Sequence, residues 1–151
     1  MNKILVRQNC FETNSSSCHS LSISDNKNVL LQTIIPDEQG NIILTGGQWG
    51  WEQDYYNNAL SKANYCMQDI FDYAYGTKED RTDQSKWQML QKVIKDQTGA
   101  IEVSYDFDQL SDGYIDHQSS GITEEAFKSE EELKQFIFNP QSYFETDNDN
   151  H

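Results

Sequence analysis

Apolar and polar positions along this chain fall into two rhythms, and the rhythms divide it into short strands and longer helices. The first third alternates with period two or carries short apolar triplets, in Ile4-Leu5-Val6, Leu21-Ser22-Ile23, residues 29–35 and residues 41–45. Each fits a half-buried strand, and Pro36-Asp37-Glu38-Gln39-Gly40 has the turn residues of a hairpin loop, so a β-meander is expected here. From Tyr56 the period lengthens: Tyr56, Ala59, Leu60, Ala63, Met67, Ile70, Phe71 and Ala74 recur at helical spacing. That stripe predicts a helix over residues 54–75, closed by Gly76. Residues 77–83 are polar and read as an exposed loop. Trp87, Leu90 and Ile94 then share one face of a second helix over residues 84–97, with Gly99 at its end.

Alternation returns in Ile101, Val103, Tyr105 and Phe107, interleaved with Glu102, Ser104, Asp106 and Asp108. This pattern predicts a strand with one face in the core and an acidic, solvated one opposite. Ser111-Asp112-Gly113 reads as a turn, and residues 114–117 as a short strand. Ser129-Glu130-Glu131-Glu132 is a capping box ahead of Leu133, Phe136 and Ile137, so a third helix starts there, and Pro140 bars its continuation. Tyr143-Phe144 adds a last edge strand. The order β-β-β-β-α-α-β-β-α-β predicts the α+β class, an antiparallel-rich sheet with about three helices packed mainly on one side. Residues 1–146 are expected to form one domain and residues 147–151 a frayed tail.

Composition supports folding rather than disorder: hydrophobic residues are 36% and aromatics 12% of 151 positions, enough to build a core. No apolar run approaches the length of a membrane span or a signal-peptide core, so no membrane contact is expected and the expected location is cytoplasmic. Cys10, Cys18 and Cys66 are odd in number and irregularly spaced, as reduced thiols would be. The formal net charge is −14, unevenly distributed: +1 over residues 1–35, −4 over residues 36–100 and −11 over residues 101–151. Such a field repels phosphate backbones, so no direct nucleic-acid ligand is expected. It favours a cation, a basic protein surface, or plain solubility.

Three polar segments are candidates for chemistry. Residues 12–20 pack hydroxyls, an amide, a thiol and an imidazole between two predicted strands. They read either as a self-satisfied turn or as a site for an oxyanion, a phosphate or a metal-bound substrate. In the second case Asn14, Ser15, Ser16 and Ser17 bind ligand and His19 acts as acid, base or ligand. Gly113-Tyr114-Ile115-Asp116-His117-Gln118-Ser119 offers Asp116, His117 and Gln118. On a strand Asp116 and His117 point to opposite faces, so each needs a distant partner. Asp116 would orient His19 as a base, whereas His117 with His19 would supply two ligands of a divalent metal, the candidate cofactor. Gly46-Gly47-Gln48-Trp49-Gly50-Trp51-Glu52 lets backbone and aromatic surface approach something closely. Glu52 there is either a dipole-favoured acid near a helix start or a carboxylate in the same cleft as His19. Asp147-Asn148-Asp149-Asn150 lacks the central glycine and closing glutamate of a calcium loop.

Phe11-Glu12-Thr13-Asn14-Ser15-Ser16-Ser17-Cys18-His19-Ser20 resembles the N-terminal signature of a family of uncharacterised bacteriophage proteins. Further short matches are Trp49-Gly50-Trp51-Glu52, Lys62-Ala63-Asn64-Tyr65, Tyr114-Ile115-Asp116-His117-Gln118-Ser119, Phe136-Ile137-Phe138-Asn139-Pro140 and Asp147-Asn148-Asp149-Asn150. Trp49 stands where that family has phenylalanine. The resemblance implies a phage setting, hence the cytoplasm of an infected host, and it supplies no reaction. Two functions are therefore expected. One is a polar-site domain that binds a phosphorylated ligand or a divalent metal, with hydrolysis left open, through His19, Glu52, Asp116 and His117. The other is an acidic interaction protein that covers a basic host protein as a DNA mimic does, with Glu102, Asp106, Asp108 and residues 124–132 along one face.

Overall fold

The structure is a computed structural model that describes residues 3–8, 19–50, 53–116 and 121–146. In chain order the elements are β1 (Lys3–Gln8), β2 (His19–Ser24), β3 (Asn41–Leu44), β4 (Gln48–Trp49) and β5 (Asp54–Tyr56). Next come α1 (Ala59–Ile70), β6 (Tyr73–Ala74), β7 (Glu79–Asp80), α2 (Gln84–Thr98), β8 (Glu102–Tyr105), α3 (Phe107–Asp112) and β9 (Tyr114–Ile115). A 3-10 turn (Ala126–Lys128), α4 (Glu130–Phe138) and β10 (Tyr143–Thr146) close the fold. This is an α+β protein. Its main sheet runs β1-β2-β10-β5 and is antiparallel throughout. Leu21 and Ile23 of β2 enter the core on the face that α4 covers, and α1, α2 and α4 pack against one another behind it. The buried apolar residues form one cluster that draws on both the sheet and the helices.

Several local expectations hold for the reasons given. Gly99 ends α2 in the left-handed conformation at φ 74°, as expected, whereas Asp83, which starts the helix by accepting from the Lys86 N–H at 3.1 Å, falls within the polar loop expected over residues 77–83. Ser129 caps α4 by accepting from the Glu132 N–H at 3.0 Å, and the helix stops at Asn139, just before Pro140.

Others are corrected. The helix expected over residues 54–75 is only Ala59–Ile70, because Asn58 accepts from the Ser61 N–H and fixes its start. Residues 54–56 are the edge strand β5, and Gly76, at φ 91°, serves the β6–β7 hairpin turn instead of a helix end. No meander forms: residues 29–35 lie in no strand, with Leu30 and Ile35 exposed and the Gln32 N–H donating to the Phe138 carbonyl. β3 pairs instead with β8, in parallel. The alternation over residues 101–108 breaks at Asp106, whose carboxylate caps α3 by accepting from both the backbone N–H and the side-chain Nε2 of Gln109, so Phe107 starts a helix. Ser111 and Asp112 lie in that helix, not in a turn. β10 is no edge strand; it sits between β2 and β5. The expected tail over residues 147–151 lies outside the described residues.

Candidate functional site

His19 opens β2 and is fully buried, on the same face as Leu21 and Ile23. Its Nδ1 lies 2.9 Å from the Tyr65 hydroxyl of α1. Burial pushes the Tyr65 phenol well above its usual pKa, and the nearby Asp69 and Cys66 add to the shift. A phenol that keeps its proton can donate to Nδ1, which leaves the imidazole proton on Nε2 in the neutral form. Tyr65 is itself stacked on Phe144 of β10, with ring centroids 4.0 Å apart. Trp49 meets three rings edge-on: Tyr56 at 5.3 Å, Phe144 at 5.4 Å and Tyr65 at 5.6 Å. Among the described residues no acceptor reaches the buried Trp49 Nε1.

Trp49 also anchors the second candidate. β4 and β9 run parallel, with Trp49 opposite Ile115, and the Asp116 N–H donates to the Trp49 carbonyl at 2.9 Å. Asp116 is buried. His19 therefore meets the aromatic cluster through the Tyr65 hydroxyl, and Asp116 joins it by a backbone bond to the Trp49 carbonyl. Glu52, His117, Gln118, Asn14, Ser15, Ser16 and Ser17 lie outside the described residues. The residues that border them do not. His19 follows residues 9–18, Gly50 precedes residues 51–52, and Asp116 precedes residues 117–120, so all three segments join the fold at or beside this cluster.

The glycine-rich segment has a different explanation from a ligand cradle. Asn64 Oδ1 accepts from the Thr45 and Gly46 N–H groups at 2.8 and 3.0 Å, and Gln68 Oε1 accepts from the Gly47 N–H at 3.1 Å. Gln68 Nε2 in turn donates to the Leu110 carbonyl at 3.1 Å. A Cβ on Gly46 would sit 2.1 Å from Gln68 Oε1, and one on Gly113 would sit 2.5 Å from the Gly47 carbonyl oxygen. The polar edge of α1 crowds Gly46 and Gly113, and the Gly46 and Gly47 N–H groups are spent on it, while the Gly113 N–H donates to the Leu110 carbonyl at 3.1 Å.

The same helix holds the C-terminal turn. Lys62 is fully buried, and its Nζ donates to the Asn139 carbonyl at 2.9 Å and the Ser142 carbonyl at 2.8 Å. Burial lowers its pKa to about 7, with Cys66 opposing slightly. Farther along α1, Asp69 accepts from the Gly121 and Thr123 N–H groups and from the Thr123 hydroxyl at 2.9, 3.1 and 2.5 Å. Cys66 is a free buried thiol whose pKa burial drives up, so it behaves as a small apolar filler. Among the described residues no three His, Cys, Asp or Glu side chains come together as a metal site.

Lys62, Asn64, Tyr65 and Gln68 were invisible to periodicity, because a hydrophobic stripe treats them as the wet side of α1. The signal that marked three of them was the short block Lys62-Ala63-Asn64-Tyr65. Comparison with protein-family models, curated proteins and solved structures finds no match to this chain.

Proposed function

We propose that this protein is a polar-site domain that binds a phosphorylated ligand beside the Tyr65–Trp49 cluster, to which β2 contributes His19 and β4 contributes Trp49. The observation that supports it is that described residues next in the chain to the three candidate segments meet one cluster: His19 bonds Tyr65, and the Asp116 N–H bonds the carbonyl of Trp49, the residue before Gly50. Residues 14–17 carry the hydroxyls and amide that suit phosphate oxygens, and they lie in the part of the chain with net charge +1, not in the acidic third. His19, oriented through Nδ1 by a phenol, would serve as the proton donor or acceptor. Asp116, Glu52 and His117 are the groups to complete the wall, and a divalent metal is the alternative occupant. Hydrolysis of a phosphoester would use His19 as its acid–base group. The resemblance to phage proteins would put the ligand in an infected cell.

The test follows the imidazole and indole signals of His19 and Trp49 by NMR while inorganic phosphate, a nucleoside monophosphate or magnesium is added. Saturable shifts with the phosphates, lost in His19→Asn, support the proposal. Shifts with magnesium alone select the metal instead. Signals unmoved by all three probes reject a site at this cluster.

A further inference from the structure

Away from that cluster, the β6–β7 hairpin and the start of α3 build a surface of a different kind. A chain of rings runs outward from the core. Trp87 meets Tyr105 at 4.8 Å, Tyr105 meets Phe71 at 6.2 Å, and Phe71 meets Phe107 at 5.3 Å. Phe107 then meets Tyr73 at 6.0 Å, and Tyr73 meets Tyr75 at 6.5 Å. Trp87 is buried, the middle rings are half-buried, and Tyr75 is 92% exposed. The hairpin holds Tyr75 out with two residues at positive φ, Gly76 at 91° and Lys78 at 55°. Lysine in the left-handed region is a local strain that an ordinary surface turn avoids by using glycine.

Carboxylates neighbour these rings: Asp80 stands opposite Tyr73 in the hairpin ladder and accepts from the Tyr105 hydroxyl, Asp72 lies between Phe71 and Tyr73, and Asp106 and Asp108 flank Phe107 at the start of α3, whereas Glu79 stands opposite Ala74 on the other face. Lys78 and Arg81 are the basic residues on the hairpin and just beyond it. Arg81 Nη2 rests 3.3 Å from Asp72 Oδ2 and 3.1 Å from the Tyr73 carbonyl oxygen, so one guanidinium already lies against the rim. Among the described residues Asp80 and Asp108 make no ion pair. A cleft of about 240 Å³ opens beside the strip, lined by Phe71, Asp72, Tyr73, Leu110 and Tyr114. The acidic residues 124–132 differ from this rim: Glu125 pairs with Lys128, Glu130 with Lys92, and Glu131 with Lys27.

We infer that the face formed by Tyr73, Tyr75 and Phe107 with Asp80 and Asp108 docks a basic protein surface that presents arginine among apolar side chains. Aromatic faces and carboxylates together recognise a guanidinium, the rings by cation–π contact and the acids by paired hydrogen bonds. The partner is arginine-bearing and not a nucleic acid, because the rim carboxylates repel phosphate. It is not a second copy, because two chains of net charge −14 repel each other across a shared acidic face. This surface stands independently of any ligand at the Tyr65–Trp49 cluster.

The test titrates the full chain with a labelled peptide alternating arginine and leucine, and with the lysine peptide of equal charge, at low and high salt. The arginine peptide is expected to bind more tightly than the lysine peptide and to weaken with salt. Tyr75→Ala should weaken it about three- to tenfold. Asp80→Asn with Asp108→Asn should flatten the salt dependence. All three side chains are exposed, so circular dichroism is expected to confirm an unchanged fold. No binding of the arginine peptide, equal binding by Tyr75→Ala, or a Tyr75-dependent dimer in sedimentation would each overturn the inference.

Discussion

The Tyr65–Trp49 cluster and the Tyr73–Tyr75 strip are both built from aromatic rings and polar groups, yet they use them in opposite ways. At the cluster, Lys62, Asn64, Tyr65 and Gln68 are buried and each makes a hydrogen bond to a distant part of the chain. A polar group taken out of water must find a partner, so these residues pin segments together with a directionality that apolar packing lacks. At the strip the rings become progressively exposed and the carboxylates stay in water, where they cost the fold little and remain open to an outside partner. Residue type alone does not separate scaffold from interface here; burial and the destination of each hydrogen bond do.

Mutations sharpen that contrast, and the largest effect belongs to Lys62. Lys62→Ala removes a buried stem and leaves the Ser142 carbonyl without its donor, so urea denaturation should register a loss of about 3–4 kcal/mol. A pH series on Lys62→Met comes next. Folded Lys62 gives up its proton near 7, whereas the unfolded chain holds it to about 10.5. Between those values the unfolded state binds more protons, so this group's contribution to stability rises with pH and is lowest below pH 7. Wild type should therefore gain on Lys62→Met by up to about 1.4 kcal/mol per pH unit from pH 7 upward. A constant gap between the two denaturation midpoints from pH 6 to pH 9 would show that Lys62 is not buried as described.

Gly46→Ala should cost about 2 kcal/mol, because the new Cβ meets Gln68 and Leu110 at a φ of 67°. Tyr65→Phe should cost about 1 kcal/mol in the same assay and shift the His19 ring signals by NMR, since the ring loses its hydroxyl partner. Tyr75→Ala, by contrast, should leave stability within about 0.5 kcal/mol of wild type, since its ring is almost wholly exposed. Equal losses from Tyr65→Phe and Tyr75→Ala would erase the distinction between the two regions.

The parts of this fold written in local chemistry were legible beforehand. Ser129 and Gly99 act at the ends of their own helices, and α4 starts where its cap predicts. What failed depended on remote partners. Nothing in residues 29–35 reveals that β3 will pair with β8, and nothing in Tyr143-Phe144 reveals that strands lie on both sides, because side-chain alternation is blind to main-chain pairing. Asp106 and Gln109 did carry a cap signal, masked by the period-two pattern that runs through it. Of the candidate site, His19 and Asp116 were named by residue chemistry, but Tyr65 and Lys62 read as surface positions of α1. Their burial follows from two sheets and a C-terminal turn closing over that helix, which no window of sequence contains.

The central position of β10 has a consequence for how the molecule comes into being. The strand that completes the main sheet is delivered last, 119 positions after the end of β2 if counted from Ser24 to Tyr143. Until it arrives, β2 and β5 each present an unpaired edge, Phe144 is missing from beneath Tyr65, and Lys62 has neither of its carbonyls. A nascent chain therefore waits on its final strand before it can close, and folding should be slow relative to a helical protein of this length.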